Sequence, residues 1–137
     1  MNISLVARLI GIGKYNHYPR LHAKGDINAD KLQKFLDTEF PVGRDPDIRS
    51  IKDAAKDTIV TELSSLRTTY DRSKAILVFF SGIGGRTQAG DASVICPATF
   101  EASNSSTGIT DQELVQLFDS ISRARGNNIV SNAIHHS

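Results

Sequence analysis

The side chains best suited to chemistry are a lone thiol, four histidines and a glycine-rich loop. Nucleophilic catalysis needs an activated nucleophile with a base within about 3 Å of it. The thiol belongs to Cys96, which precedes Pro97 in a short apolar segment, a setting that reads as a small core residue rather than a reactive thiolate. Serines are numerous, but no Gly-x-Ser-x-Gly elbow frames one. The loop Ser81-Gly82-Ile83-Gly84-Gly85-Arg86 could offer backbone N–H groups to an anion. A phosphate site of that kind needs a helix to begin at once, yet Thr87 to Ser93 is small and polar without helical periodicity, and no Gly-Lys-Ser/Thr follows. A nucleotide- or phosphate-binding α/β domain is therefore the alternative reading, with Arg86 its one supporting charge. His17 and His22 stand five positions apart, and His135 and His136 are adjacent; neither spacing brings two imidazoles to one side of an element. Asp26, Asp30, Asp45, Asp47 and Asp53 are scattered through turns and helix starts and form no calcium loop.

The elements that must position these groups alternate in type. Ile3 to Ile12 is rich in Leu, Ile and Val and ends in Gly-x-Gly, a buried strand running into a loop, although Arg8 interrupts it. Leu32, Phe35, Leu36 and Phe40 predict a helix over Asn28 to Phe40, stopped by Pro41. Ile48 to Ile51 is a short second strand, and Lys56 to Tyr70 a helix with Ile59, Val60, Leu63, Leu66 and Tyr70 on one face. Ala75 to Phe80 is continuously apolar, as expected of a strand covered on both faces. After the glycine loop comes a short apolar piece, Ser93 to Cys96. Thr110 and Glu113 then form a capping box, opening a helix with Leu114, Leu117, Phe118 and Ile121 that closes at Gly126. Asn128 to Ile134 reads as the last strand. Such alternation predicts a mostly parallel α/β sheet of about four strands with helices on both faces. Chemistry in these sheets sits beyond the carboxyl ends of the strands, which singles out the loop after Phe80 and the end of the last strand.

Composition bounds the possibilities. A chain of 137 residues is expected to form one domain spanning residues 1–137. Sixteen basic residues against fifteen acidic ones give a net charge of +1, without the basic excess of a nucleic-acid-binding surface. The longest unbroken apolar run, Ala75 to Phe80, is far short of the ~20 residues of a membrane span. One cysteine leaves no internal disulfide. A soluble, cytoplasmic protein is expected.

The ordered segments resemble fungal metacaspases, relatives of the caspases. Ala7-Arg-Leu-Ile-Gly-Ile-Gly-Lys-Tyr-Asn-His-Tyr-Pro-Arg-Leu21 resembles that family's opening strand and lysine–tyrosine loop. Ile76 to Thr87 is similar to its third strand and following loop, Val94-Ile-Cys-Pro97 to its next segment, and Asn127 to Ser137 to its fourth strand. The likeness runs from about Leu5 to the end, in order. It implies a caspase-like three-layer sandwich and a cysteine–histidine dyad.

At the implied dyad positions the sequence departs from the family. Ile83 stands in the Gly-x-Gly setting where the family has its histidine, and His135 stands where it has its cysteine. The family pairs the cationic side chain before the scissile bond with acidic residues. The resemblance places these at Ala133 and near Asn28 or Ala29, with Asp30 close by. Where the family often shows Cys-Pro-x-Asp, this chain has Cys96-Pro97-Ala98-Thr99. The expectation is a metacaspase-like domain, descended from Arg/Lys-directed cysteine endopeptidases, that lacks the dyad and acts as a binding or regulatory module. Caspase-like domains continue past the cysteine strand, so the last strand is expected to need cover, by self-association or by an active metacaspase relative. Calcium enters by the resemblance only. A working cysteine endopeptidase using Cys96, with His135 as base, is the other alternative.

Overall fold

The computed structural model describes residues 4–39, 47–69, 74–86, 93–125 and 129–135. Strands β1 (Ser4–Gly11), β2 (Asp47–Lys52) and β3 (Lys74–Ser81) alternate with helices α1 (Gly25–Glu39) and α2 (Lys56–Thr69). Three short strands follow: β4 (Gly84–Arg86), β5 (Ser93–Ile95) and β6 (Ile109–Thr110), with a 3-10 turn at Ser105–Thr107. Helix α3 (Asp111–Arg125) and strand β7 (Ile129–His135) complete the described elements.

β1, β2, β3 and β7 form one parallel sheet in the order β2-β1-β3-β7. Strand pleating separates the side chains of β1 and β3 into two layers. Leu5, Ala7 and Leu9 cluster with Ala29 and Leu36 of α1, joined by half-buried Leu77 and Phe79. Val6, Ile10, Ile76, Val78 and Phe80 cluster instead with Ile59, Leu63 and Leu66 of α2 and with Leu114 and Ile121 of α3. Both faces of the central strands are thus covered, which is why β3 reads as a continuous apolar run instead of an alternating one.

Arg8 lies in the second layer, 2% exposed, with its guanidinium 3.3 Å from Asp47 and 3.8 Å from Glu62. A charge in a central strand is tolerated because two carboxylates meet it there.

Two sequence expectations differ from the structure. α1 begins at Gly25 rather than Asn28, because the one apolar side chain of its first turn, Ile27, is exposed and stands apart from the face that carries Leu32 and Leu36. Gly84–Arg86, read as loop, is a strand antiparallel to Ser93–Ile95, and Ile109–Thr110 adds a third, so a second sheet of order β4-β5-β6 follows β3. These strands are too short for side-chain alternation to mark them. The expected ends at Phe40, Pro41, Tyr70, Gly126 and Asn128 lie outside the described residues.

The capping box is formed: Glu113 N–H donates to Thr110 Oγ1 and Thr110 N–H to Glu113 Oε1, each at 3.1 Å. Lys56 at the start of α2 reaches the same carboxylate at 2.9 Å, clasping the N-termini of α2 and α3 together. No helix among the described residues is long and apolar enough to cross a membrane.

Candidate functional site

The carboxyl ends of β1 and β3 are bound to each other and to α1. Ile12 N–H donates to the Ser81 carbonyl at 2.9 Å. Gly11 and Gly25 face each other there: a Cβ on Gly11 would lie 2.1 Å from the Gly25 carbonyl oxygen. The absence of side chains at both positions lets the start of α1 rest directly on the sheet edge. This contact carries Asn28 to β3, where its Nδ2 donates to Ser81 Oγ at 3.0 Å. Ser81 is fully buried.

On the β2 side, Asp53 holds φ at 51° and accepts from Gly13 N–H at 2.8 Å and Lys14 N–H at 3.1 Å. Its own N–H donates to the Gly11 carbonyl at 2.9 Å. The carboxylate fixes the turn that leads to Tyr15. Aspartate is among the residues that enter the left-handed region most readily.

Tyr15 is the pin of the site. It is 3% exposed, and its Oη accepts from Ile83 N–H at 2.7 Å. The Ile83 carbonyl in turn accepts from Cys96 N–H at 3.1 Å. Burial pushes the Tyr15 hydroxyl up to about 12, a rise the Ile83 hydrogen bond partly offsets and the nearby Cys96 and Asp53 reinforce. Burial likewise raises the Cys96 thiol to about 11. At neutral pH that sulfur is a thiol, a poor nucleophile.

Tyr15, Tyr18, Ile83, Gly85, Cys96 and Phe100 line a pocket of about 290 Å³. Tyr18 Oη accepts from Ala102 N–H at 2.8 Å, so both tyrosine oxygens on the wall already have backbone partners. No charged side chain is among its lining residues.

The parallel pairing of β3 with β7 sets Ser81 opposite His135 and Phe79 opposite Ala133. Ile83 follows Ser81 closely along the chain. The two positions that the resemblance assigns to a dyad, Ile83 and His135, therefore share one sheet edge. Asn28 joins them through Ser81, and Ala133 stands one pleat back along β7. Asp30 is turned elsewhere, paired with Lys52 at 3.2 Å.

Cys96 directly follows β5, the middle strand of the second sheet, and its N–H donates to the Ile83 carbonyl. The end of the Ser81–Arg86 segment is strand β4, and the next element among the described residues is β5 rather than a helix whose N-terminus could face a phosphate. His17 sits 3.5 Å from Glu101 on the surface. Among the described residues no group of three His, Cys, Asp or Glu side chains could hold a metal ion.

Sequence reasoning missed the roles of Tyr15 and Asp53. In the sequence Tyr15 is marked only by the lysine–tyrosine pair, and Asp53 is one of five aspartates scattered through turns and helix starts. Neither had a local signal, because both act on partners far along the chain.

These elements define a parallel α/β domain with helices on both faces and a small antiparallel sheet inserted after β3. No protein-family model and no curated protein matches the chain. Among solved structures it is similar to protein GSU0716 from Geobacter sulfurreducens, with a TM-score of 0.65 at 13% identity over 96% of this chain. The chain spans 48% of that structure's length. A likeness at this identity concerns the fold alone.

Proposed function

We propose that this chain is a caspase-like domain of metacaspase type that has lost its peptidase dyad and binds peptide or protein partners without cutting them. The observation that supports the reading is the β3–β7 register, which pairs Ser81, two residues before Ile83, with His135, so that an aliphatic residue and a histidine stand where the resemblance implies a histidine and a cysteine. Isoleucine neither accepts nor donates a proton. The one thiol, Cys96, is buried and protonated, and it sits on the second sheet instead of at the end of β7. Loss of a nucleophile or base costs roughly six orders of magnitude in turnover, and losing both costs little more.

Specificity for a cationic side chain is weakened by the same substitutions. Ala133 has no carboxylate, Asn28 is engaged with Ser81, and Asp30 is neutralised by Lys52. A cation placed there would forgo a charge-assisted pairing of about 1.5–3 kcal/mol. The partners that fit are a second copy of the chain or an active relative whose cleavage it regulates. A cytoplasmic setting suits a single unpaired thiol.

The test is a fluorogenic peptide assay with arginine or lysine before the scissile bond, run with and without calcium. Wild type and Cys96→Ala should both match the buffer blank. Turnover by the wild type that Cys96→Ala abolishes would establish an active cysteine peptidase and overturn the proposal. A mixing experiment with an active metacaspase should alter that enzyme's rate or oligomeric state.

A further inference from the structure

The pocket beside Ile83 has no place in the chemistry above, because the residues that build it are the ones that replaced or never belonged to a dyad. We infer that it is a binding site for one uncharged apolar side chain, leucine or phenylalanine in kind, of an extended peptide lying along β4. The inference rests on the peptide-binding reading and adds the class of residue held.

Three observations select that occupant. The first is size. An apolar cavity of about 150 Å³ accommodates benzene, so about 290 Å³ suits a branched or aromatic side chain with part of its backbone. It falls just below the roughly 300 Å³ at which pockets for larger ligands begin.

The second is polarity. The Tyr15 and Tyr18 oxygens accept from Ile83 and Ala102 N–H groups, and the remaining walls named above are carbon, sulfur and glycine backbone. A guanidinium or ammonium group entering here would be desolvated without a carboxylate to meet it. The third is position. Ile83, Gly84 and Gly85 form one wall, and β4 is the outer strand of the order β4-β5-β6 among the described residues. An extended peptide passing β4 presents every second side chain to the same side.

Gly85 offers a way to close the pocket. A Cβ there would lie 3.6 Å from Cys96 Sγ and 3.6 Å from Val94 Cγ2, ordinary contact distances. A larger side chain at this position starts from an unstrained Cβ beside Cys96, a residue of the pocket wall.

The experiment is an NMR titration of the isotopically labelled chain with N-acetyl-leucine amide, N-acetyl-phenylalanine amide and N-acetyl-arginine amide. The leucine and phenylalanine amides should shift the backbone signals of Ile83, Gly85 and Ala102 with millimolar affinity. The arginine amide should leave them unmoved. Gly85→Leu should weaken the apolar amides at least tenfold. Should that variant fail to fold, Ala102→Leu serves the same purpose, since its backbone bond to Tyr18 survives.

Equal response to the arginine amide, no response at 20-fold the expected dissociation constant, or full binding to a folded filled variant would each overturn the inference. Toluene shifting the same signals while the amides do not would assign the pocket to a free apolar molecule and overturn the peptide assignment. Cleavage dependent on Cys96 would sink the functional reading but leave these titrations interpretable; silent titrations would sink this inference alone.

Discussion

Replacing Gly25 by alanine tests the contact on which the site is assembled. An ideal Cβ at Gly25 would lie 2.0 Å from the Ser81 carbonyl oxygen and 2.5 Å from both the nitrogen and the oxygen of Ile12. Non-bonded carbon contacts are favourable only near 3.5–4.0 Å, so α1 must back away by about 1.5 Å. The obstructing atoms are main chain, and they are held by the 2.9 Å bond between Ile12 N–H and the Ser81 carbonyl. They cannot swing aside as a flexible side chain would.

The steric cost therefore sits at the upper end of the overpacking range, about 3 kcal/mol. Retreat of α1 also breaks the bond from Asn28 to Ser81, adding about 1 kcal/mol. Alanine's better helix propensity returns less than about 1 kcal/mol in the first turn. The net loss is about 3 kcal/mol, a large share of the 5–15 kcal/mol that holds a domain together, and corresponds to a fall in Tm of roughly 10 °C. Urea denaturation measures it directly, with an unchanged m-value showing that the same surface still unfolds. Gly85→Ala is the internal control: its Cβ meets nothing closer than 3.6 Å, and its stability should stay within about 0.5 kcal/mol of wild type. If Gly25→Ala loses less than about 1 kcal/mol, or no more than Gly85→Ala, the close approach of α1 to the sheet edge is refuted.

Tyr15→Phe removes the acceptor for Ile83 N–H and should cost about 1–2 kcal/mol in urea; a neutral result would mean that the bond does not hold the loop. Alkaline stability follows from two groups whose pKa is raised in the folded state, Cys96 from 9.0 to about 11 and Tyr15 from 10.0 to about 12. Both are neutral when protonated, so their contribution is whole below pH 9 and is lost as the unfolded chain ionises first, across roughly pH 9 to 12. Urea midpoints at pH 7, 9 and 10.5 should fall less steeply in Cys96→Ala, and identical slopes would count against the burial of the thiol. Glu113 behaves oppositely. Burial alone would raise its carboxyl, but the Thr110 N–H and the Lys56 ammonium outweigh it and hold the group below its ordinary 4.5. Glu113→Gln should therefore destabilise at pH 7, by about 0.5 kcal/mol for so exposed a pair, and become neutral as pH falls below that range; a penalty unchanged at pH 3 would exclude the ion pair as its cause.

Several features of this protein were determined by local sequence. The strands β1 and β3 and the helices α2 and α3 are legible because burial on one or two faces imposes a repeat on neighbouring residues. The capping box at Thr110 and Glu113 is legible because both partners lie within one turn. The same locality makes the isoleucine between glycines at Ile83 and the single thiol in an apolar segment at Cys96 visible without coordinates. The tertiary structure decided the rest. It set Ser81, two residues before Ile83, opposite His135 through the β3–β7 register, made Tyr15 the acceptor for a loop 68 residues away, buried Arg8 beside two carboxylates, and shaped a pocket between the loop after β1 and the segments around β4 and β5. None of these could be read from periodicity, because a contact between residues distant in the chain leaves no repeat in it. Long-range pairing is selected by the packing of whole layers, and only the folded chain brings its members together.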